Sequence, residues 1–327
     1  MATNRLSRVL SAFNHSTRRW APIPGKNTQS QATQRLSTAS ENINTSTQSL
    51  SLISWNIDAF SSRPISRAKL IYSHFLEGMG SPDIIFLQEV TLGVRAALLD
   101  DARVRASFLV TDAEDQRSFE NVPFATMTLL SRKRFASSLD SQKRGDGTER
   151  DEDFMLGNIS RVPLPSKYKR DGLCLDIIPS TAPGTILRLI NVHLDSLGHT
   201  LSYRAQQMEI LANILREPRC SGGVIAGDFN AISREDDVLV EKNGLVDAWV
   251  ALHGSTNTNG ATWGVGVKRG DKVQHGRGRL DKIAMMGLKA KEMEVLLPGS
   301  IEIPRPGEKS VEVPWSDHCG LRCTFIV

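Results

Sequence analysis

Cysteine and long apolar runs are both scarce in this chain of 327 residues. The four cysteines have the spacing of neither a zinc knuckle nor a disulfide framework, so we expect reduced thiols of an intracellular protein. No apolar run approaches the roughly 20 residues that span a bilayer, and no secretory signal is evident. The sequence therefore predicts no membrane partner.

Acidic residues are missing from the first 40 positions, which hold six basic residues: Arg5, Arg8, Arg18, Arg19, Lys26 and Arg35. A basic, Ser-rich segment with apolar residues near helical spacing is typical of a mitochondrial transit peptide. It is equally typical of a disordered basic tail. We predict such a tail over residues 1–49, in which Gln29 to Gln48 is a linker, and one folded domain over residues 50–327.

The charge balance is mildly basic, with a formal net charge of +4 and a pI near 8.9. Such a balance favours anionic partners, for example nucleic acids or phosphoesters. A domain of this length buries roughly three quarters of its unfolded surface, so it can keep a functional site dry.

From Leu50 onwards, strand-like apolar runs alternate with amphipathic helical patterns. Several of the strands are joined by short polar turns rather than by helices. This pattern predicts an α/β fold in which two mixed sheets pack on each other with helices outside. The predicted strands are Leu50–Ile57, Asp83–Val90, Phe124–Ser131, Leu173–Ile178, Ile186–Leu194, Val224–Asp228, Leu280–Met285 and Leu321–Val327; the predicted helices begin near Ser66, Leu92 and Leu201.

The most informative stretch is Val-Ile-Ala-Gly-Asp-Phe-Asn at residues 224–230. Alternation along a strand sends Asp228 and Asn230 to the same side, and Gly227 allows another group to come close. A carboxylate beside a carboxamide at the end of a buried strand can hold a water or a phosphate oxygen. An ordinary turn also fits this motif when it stands alone.

Four further polar clusters follow predicted strands, and together with residues 227–230 they form an ordered set. These clusters are Trp55-Asn56-Ile57-Asp58, Gln88-Glu89-Val90, Asn191-Val192-His193-Leu194-Asp195-Ser196 and Ser316-Asp317-His318, with Arg279-Leu280-Asp281 preceding the last. Polar residues borne by loops at the ends of rigid strands are how active sites are usually assembled.

This ordered set resembles the endonuclease/exonuclease/phosphatase superfamily of metal-dependent phosphodiesterases. Within it the chain is most similar to the 5′-tyrosyl-DNA phosphodiesterases, through Ser-Trp-Asn-Ile-Asp at 54–58, His-Leu-Asp-Ser at 193–196, Arg-Leu-Asp-Lys-Ile at 279–283 and Ser-Asp-His-Cys-Gly-Leu at 316–321. The resemblance implies a DNase I-like four-layer α/β/β/α sandwich from about Leu50 to the C-terminus.

The resemblance also implies a metal site. Glu89 would be the main Mg²⁺ ligand, with Mn²⁺ as an alternative ion, while Asp58 and Asp317 would contribute through water. The ion would polarise a phosphoryl oxygen and offset the charge that grows as the nucleophile arrives.

The same resemblance implies the catalytic groups. Asp228 would orient and deprotonate the attacking water, and Asn56 and Asn230 would hold water and phosphate in line. His318 would bind a phosphoryl oxygen, with its tautomer fixed by Asp281, and His193 would supply another phosphate donor.

Substrate contacts are predicted at Phe124, Ser196, Trp263 and Arg279. The stretch from Trp263 to Arg279 is rich in glycine and basic residues, which suits a stacked base and backbone phosphates; a solvated surface loop is the alternative. Two positions depart from the tyrosyl enzymes, since Phe124 stands where they often carry Tyr, and Ile232 where they carry a basic residue.

The resemblance thus implies a Mg²⁺-dependent enzyme that removes tyrosine from 5′ ends of DNA and so acts in the repair of topoisomerase adducts. We expect a monomer that binds DNA with a 5′-tyrosyl or otherwise blocked end. The alternatives are a general DNA or RNA nuclease, a deadenylase, a lipid or inositol phosphatase, and an inactive nucleic-acid-binding module. The resemblance implies the nucleus and cytoplasm as its location, whereas the N-terminal composition favours the mitochondrion.

Overall fold

The computed structural model describes residues 4–23, 48–77, 80–136, 154–265, 276–307 and 309–327. Its helices are α1 (Pro64–Glu77), α2 (Leu92–Asp100), α3 (Ala102–Ser107), α4 (Leu201–Leu215), α5 (Arg234–Asp237), α6 (Leu239–Lys242) and α7 (Ala248–His253). Its strands are β1 (Leu6–Arg8), β2 (Leu10–Asn14), β3 (Arg19–Pro22), β4 (Ser49–Asn56), β5 (Ile84–Val90), β6 (Phe108–Thr111), β7 (Ala125–Ser131), β8 (Phe135–Ala136), β9 (Phe154–Pro163), β10 (Asp171–Ile178), β11 (Ile186–His193), β12 (Cys220–Asp228), β13 (Val246–Asp247), β14 (Asp281–Met286), β15 (Lys289–Leu296), β16 (Ser300–Ile303), β17 (Val311–Pro314) and β18 (Gly320–Ile326).

Within the described residues, most strands form two mixed sheets of eight strands each. Sheet I has the order β1-β9-β10-β11-β12-β14-β13, with β8 paired to β9, and sheet II has the order β15-β18-β4-β5-β7-β6-β2-β3. In each sheet one neighbouring pair is parallel, β11 with β12 in sheet I and β4 with β5 in sheet II, apart from the short β8 beside β9. Strands β16 and β17 form a separate antiparallel pair.

The two sheets pack face to face, and helices cover their outer faces. Side chains from both sheets, such as Phe86 and Leu175, share the central core. Alternate residues of neighbouring strands point outwards: Trp55 on β4 of sheet II packs with α1, and Ile225 on β12 of sheet I packs with Met208 of α4. The four layers are therefore α/β/β/α, which confirms the predicted fold class. None of the described helices is both long and apolar enough to cross a membrane.

The predicted domain boundary at residue 50 differs from the structure, because residues 6–22 form three strands of the two sheets. Strand β1 pairs with β9 in sheet I, whereas β2 pairs with β6 in sheet II. Leu10 is only 2% exposed and joins the central core. Pairing with strands far along the chain thus overrides the helical spacing that favoured a transit helix or a loose tail. Of the predicted linker from Gln29 to Gln48, only Gln48 lies within the described part of the chain, where it is buried and its carbonyl accepts from the Val327 N–H.

Three local predictions also differ. Helix α1 begins at Pro64 rather than at a Ser66 cap, since proline is well suited to a first helical position. The helix predicted from Leu92 is split in two, because Asp101 ends α2 and caps α3. The charged segment predicted as a loop before Leu173 contains the ten-residue strand β9; residues 137–153 lie outside the described part.

Candidate active site

The predicted polar clusters meet at one edge of the sandwich, where β4, β5, β11 and β12 end and β14 begins. Strand register brings them together: His193 lies opposite Asp228 on the parallel neighbour β11, and Asp281 lies opposite Asp228 on β14. The same register places Asn56 opposite Gln88 on β5 of the other sheet. The site is therefore built from both sheets at the mouth between them.

The side chain of Asn56 connects the two sheets within the site. Its Nδ2 donates to Asp228 Oδ2 at 2.9 Å and to Glu89 Oε1 at 3.2 Å. The carboxylates of Glu89 and Asp228 therefore flank a single amide group, although they come from different sheets. Asn230 lines the cleft, and its Nδ2 donates to the Leu194 carbonyl while its backbone N–H donates to Asp228 Oδ1. Its role towards water and phosphate stays a prediction.

Unusual backbone conformations are concentrated in these clusters. Asp58, Glu89 and Asn230 have φ angles of 56°, 58° and 49°, in the left-handed region that non-glycine residues rarely adopt. Gly227 has a φ of 144°, and a Cβ there would lie 1.9 Å from the carbonyl oxygen of Val192. The close approach predicted at Gly227 is thus made by the neighbouring strand.

Three carboxylates, Asp58, Glu89 and Asp317, gather on one side of Asn56. Burial raises the pKa of Asp58 to about 6, and the charges of Asp317 and Glu89 add to this, while Arg67 at 3.4 Å opposes it. Trp263 Nε1 donates to Asp317 Oδ2 at 3.1 Å, and the Ala59 N–H donates to Glu89 Oε2 at 2.8 Å. Carboxylate oxygens that repel each other in a partly buried site suit a hard divalent cation such as Mg²⁺.

A tighter group of potential metal ligands lies beside them. Asp228, Asp281 and His318 each bring one ligand atom to within 4.8 Å of the others, and all three are buried. In the described residues the predicted ligands Asp58, Glu89 and Asp317 do not form such a closed group. A site with one direct carboxylate and others acting through water would leave their oxygens further apart.

His318 is held by a carboxylate and by the backbone around it. Its Nδ1 lies 2.8 Å from Asp281 Oδ2, its N–H donates to Ser316 Oγ, and its carbonyl accepts from Trp55 Nε1. Burial lowers the pKa of His318, but the charges of Asp281 and Asp228 outweigh this, so the pKa lies well above its ordinary value. An imidazolium is thus fixed in the site.

Asp228 and His193 face each other, and burial shifts the pKa of each side chain in the direction that favours its neutral form. Burial raises the pKa of Asp228 to about 7, an effect opposed by His318 and reinforced by Asp281. Burial also lowers the pKa of His193 well below its ordinary value, as do the charges of Arg170 and His318. His193 is therefore a neutral imidazole, and its Nε2 lies 3.4 Å from Asp228 Oδ2.

Arg170 completes the site and was missed by the sequence analysis. Its guanidinium carbon lies 5.0 Å from the ring centre of Phe124, which in turn stacks on His193 at 5.5 Å. The loop that carries Arg170 is held by Asp195, which accepts from the Lys167 N–H at 2.8 Å. Asp195 belongs to one of the polar clusters found in the sequence, so that cluster was the available signal. Nothing in the sequence, however, indicated that Asp195 holds the loop that carries residue 170.

The cleft in front of these groups has a volume of about 1030 Å³. Phe124, Ser196 and Trp263 line it as predicted. Arg279 does not line it, because its Nη1 pairs with Asp247 at 2.7 Å; nearby Arg277 lines the cleft instead. The other basic residues predicted in that loop, Lys268, Arg269 and Lys272, lie outside the described residues.

Comparison with known proteins agrees with this geometry. The model of the "Endonuclease/Exonuclease/phosphatase family" matches residues 53–318. Human tyrosyl-DNA phosphodiesterase 2 is 25% identical over 316 residues, which are 94% of this chain and 76% of that protein.

Solved structures share the fold at lower identity. The structure of TDP2 from D. rerio, complexed with a single-strand DNA product, has a TM-score of 0.61 at 22% identity and covers 85% of this chain and 99% of its own. The catalytic domain of human Nocturnin has a TM-score of 0.52 at 18% identity, covering 85% and 94%. The family match spans both sheets and every strand-end cluster of the cleft, and the chain accordingly belongs to the endonuclease/exonuclease/phosphatase family.

Proposed function

We infer that this protein is a divalent-metal-dependent phosphodiesterase that hydrolyses the bond between a tyrosine and the 5′-phosphate of DNA. The observation that carries this inference is the composition of the cleft. Carboxylates and an imidazolium that suit phosphoryl transfer lie beside a wall of aromatic rings and the guanidinium of Arg170. The likeness to human tyrosyl-DNA phosphodiesterase 2 supports the same substrate. The task would be the repair of topoisomerase adducts.

Asp228 and Asn56 act on the nucleophile. A carboxyl group with a pKa of about 7 is well matched to accept a proton near neutral pH. The Asn56 amide fixes the direction of its Oδ2. A water bound to the free lone pair of Asp228 is thereby oriented towards the phosphorus atom, and its proton passes to the carboxylate as the new P–O bond forms.

His318 and His193 act on the phosphoryl oxygens. The His318 imidazolium presents Nε2–H near Asp228 while Nδ1 is bound by Asp281, so it donates to an oxygen on which negative charge develops. Neutral His193 donates a second hydrogen bond when Nε2 carries its proton.

Glu89, Asp58 and Asp317 would hold the metal ion, and Mg²⁺ is the ion that best suits this oxygen-only donor set. When bound, the ion supplies Lewis-acid stabilisation of the phosphoryl group. The mutual effect of these three carboxylates on the pKa of Asp58 supports this assignment.

The aromatic wall suits a phenolate leaving group. Phe60 is 76% exposed and packs edge-on against Phe124, so an apolar surface borders the phosphate site. Arg170 lies over Phe124 and brings positive charge towards the departing oxygen. A phenol has a pKa near ~10, so its departure needs little help from a general acid. This agrees with the neutral state of His193.

The proposal is tested with purified protein, Mg²⁺ and a panel of oligonucleotides bearing a 5′-tyrosyl group, an abasic site or a plain end. We expect release of tyrosine and a 5′-phosphate end from the first substrate. Turnover of another phosphoester without any tyrosine release would contradict the tyrosyl assignment and favour a general nuclease, a deadenylase or a lipid or inositol phosphatase. No turnover of any substrate would favour an inactive binding module.

We extend the proposal to location and favour the nucleus and cytoplasm. Strands β1, β2 and β3 belong to the folded sandwich, so a removable transit segment covering residues 1–49 would take part of both sheets with it. A fluorescent fusion of the full-length chain tests this, and an exclusively mitochondrial signal would contradict it.

A further inference from the structure

A small cavity lies directly behind the wall of the cleft. Its volume is about 30 Å³, enough for one or two water molecules. Phe124, Arg170 and His193 line both this space and the cleft. The opposite side of the cavity is formed by Thr126 and Arg161. Whatever occupies it therefore touches the back of residues that face the substrate.

Arg161 is a buried cation that joins the two sheets next to this cavity. It lies on β9 of sheet I and is 1% exposed. Nη1 donates to Asp171 of the neighbouring strand at 2.8 Å and to Thr126 Oγ1 of sheet II at 3.1 Å. Nη2 donates to Asp112 at 2.9 Å and to the Thr126 carbonyl at 2.6 Å. The four N–H groups of its two Nη atoms thus meet four acceptors.

The fifth N–H of Arg161, on Nε, is buried without a hydrogen-bond partner among the described residues. Two other residues that line the cavity share this feature, since Arg170 Nε and His193 Nδ1 are also buried and unpartnered. Buried polar atoms are rarely left unsatisfied, because an unmade hydrogen bond in a protein interior costs about 1–3 kcal/mol. Three such nitrogens around one water-sized space indicate a bound molecule.

We propose that the cavity binds an ordered water, which accepts from Arg161 Nε–H and Arg170 Nε–H and donates to His193 Nδ1. Guanidinium nitrogens only donate, whereas a neutral imidazole has one donor and one acceptor nitrogen. A water that accepts twice has two hydrogens left to donate, one of which reaches Nδ1. His193 is then held as the tautomer with its proton on Nε2, the nitrogen that faces the cleft.

The water resolves an ambiguity on the cleft side of the His193 ring, where a donor and an acceptor both lie near Nε2. Nε2 lies 3.3 Å from Arg170 Nη2, which is a donor, and 3.4 Å from Asp228 Oδ2, which is an acceptor when ionised. The front contacts alone therefore leave the tautomer open. The water behind the ring selects Nε2–H, the form that donates to a phosphoryl oxygen. Arg161 is thereby a positioning residue for His193, although it does not face the cleft.

The test is the ¹⁵N spectrum of the free protein labelled on histidine, recorded at about pH 8 where an ordinary imidazole is neutral. The His193 signals are assigned by their loss in His193→Gln. We expect an unprotonated Nδ1 and a protonated Nε2. A protonated Nδ1 would overturn the proposal, as would an anion such as chloride in the cavity of a high-resolution crystal structure, because an anion requires Nδ1 to donate.

The informative variant is Arg161→Lys, which keeps the charge between Asp112 and Asp171 but removes the Nε donor. Arg188→Lys is the matched control, because Arg188 is also buried on a strand of sheet I and pairs with two carboxylates, Asp176 and Glu217, in an ion-pair network separate from that of Arg161. We expect mixed His193 tautomers in Arg161→Lys only. Unchanged signals in folded Arg161→Lys would overturn the proposal. Should that variant fail to fold, the wild-type spectrum still decides, because a protonated His193 Nδ1 contradicts the proposal by itself.

Activity gives a second readout that rests on the proposed function. With the 5′-tyrosyl oligonucleotide we expect kcat to fall roughly tenfold in Arg161→Lys, with KM and the folded circular dichroism spectrum unchanged, and less than a twofold change in Arg188→Lys. An unchanged kcat in Arg161→Lys would show that the tautomer has no catalytic role. Wild-type protein without activity would sink the proposed function but leave the spectral test standing.

Discussion

The replacement Asp281→Asn isolates the contribution of the carboxylate behind His318. In the structure Asp281 Oδ2 lies 2.8 Å from His318 Nδ1, and both side chains are buried. A charge-assisted hydrogen bond of this kind contributes about 1.5–3 kcal/mol. At about 1.36 kcal/mol for each tenfold change in rate, we expect kcat to fall about 10- to 100-fold near neutral pH, without a comparable change in KM.

The pH dependence provides a sharper signature. The pKa of His318 is raised, so its imidazolium persists to high pH in the wild type and is lost only as the pH rises through that elevated pKa. Without the Asp281 charge the pKa falls, and the alkaline limb of the kcat profile moves to lower pH. The acidic limb reflects Asp228, whose carboxylate is lost as the pH falls through about 7; loss of the Asp281 charge also lowers this pKa.

The assay is the initial rate of tyrosine release from a 5′-tyrosyl oligonucleotide, measured from about pH 5 upwards until the alkaline limb of the wild type is reached. Asp247→Asn serves as the control, because Asp247 is a carboxylate on the neighbouring strand that pairs with Arg279 away from the cleft. An Asp281→Asn variant that retained both the wild-type rate and the wild-type alkaline limb would contradict this role of Asp281.

Further predictions concern Phe124 and Arg170 in the wall of the cleft and the N-terminal strands β1, β2 and β3. Phe124→Leu should lower kcat/KM for a 5′-tyrosyl oligonucleotide about two- to tenfold, as expected from the loss of an aromatic contact of ~0.5–1.5 kcal/mol, with little effect on a substrate that has a non-aromatic leaving group. An equal loss on both substrates would argue against an aromatic subsite. Arg170→Gln should lower kcat on the tyrosyl substrate roughly 10- to 100-fold through loss of a charged contact, and rates within twofold of wild type would remove Arg170 from the site. Deletion of residues 1–22 should reduce the free energy of unfolding in urea by about 3–6 kcal/mol, at ~1.5–3 kcal/mol for each of the buried residues Leu10 and Phe13; an unchanged midpoint would show that these strands are dispensable.

Much of the fold was predictable because its strands carry local signals. Strand β12 is a continuous apolar run ending at Gly227 and Asp228, and α4 has apolar residues at helical spacing from Leu201 to Leu215. Strands β1, β2 and β9 escaped prediction, because they acquire their stability by pairing with strands distant in the chain. Local composition does not contain that information.

The site was predictable to the same extent and for the same reason. Asn56, Glu89 and Asp228 each follow an apolar strand, so their order along the chain indicated a shared edge. Arginines were not predictable in this way. Arg161 and Arg170 lie in a charged segment that resembles a solvated surface. Only the packing of the two sheets shows that Arg161 is buried and that both arginines line a space beside His193.

The prediction of Arg279 as a substrate contact was wrong in the opposite sense, because a residue expected in the cleft lies outside it while Arg277 lines it. Both belong to a basic stretch before β14 and lie two positions apart, so strand alternation alone would place them on the same side. The structure pairs Arg279 with Asp247 and leaves Arg277 at the cleft. The sequence does not distinguish them, because residues 277–280 precede β14 and lie outside the regular strands.

Central to the proposed function is one divalent ion, held by Glu89, Asp58 and Asp317 at the edge of sheet II and required for phosphodiester hydrolysis. The most direct measurement is Mg²⁺-dependent release of tyrosine from a 5′-tyrosyl oligonucleotide by the wild type and by Glu89→Gln, after removal of metal with EDTA. We predict no turnover without metal, saturable recovery of the wild type with added Mg²⁺, and a loss of at least about 10³-fold in Glu89→Gln. Turnover in EDTA, or a fully active Glu89→Gln, would contradict the account.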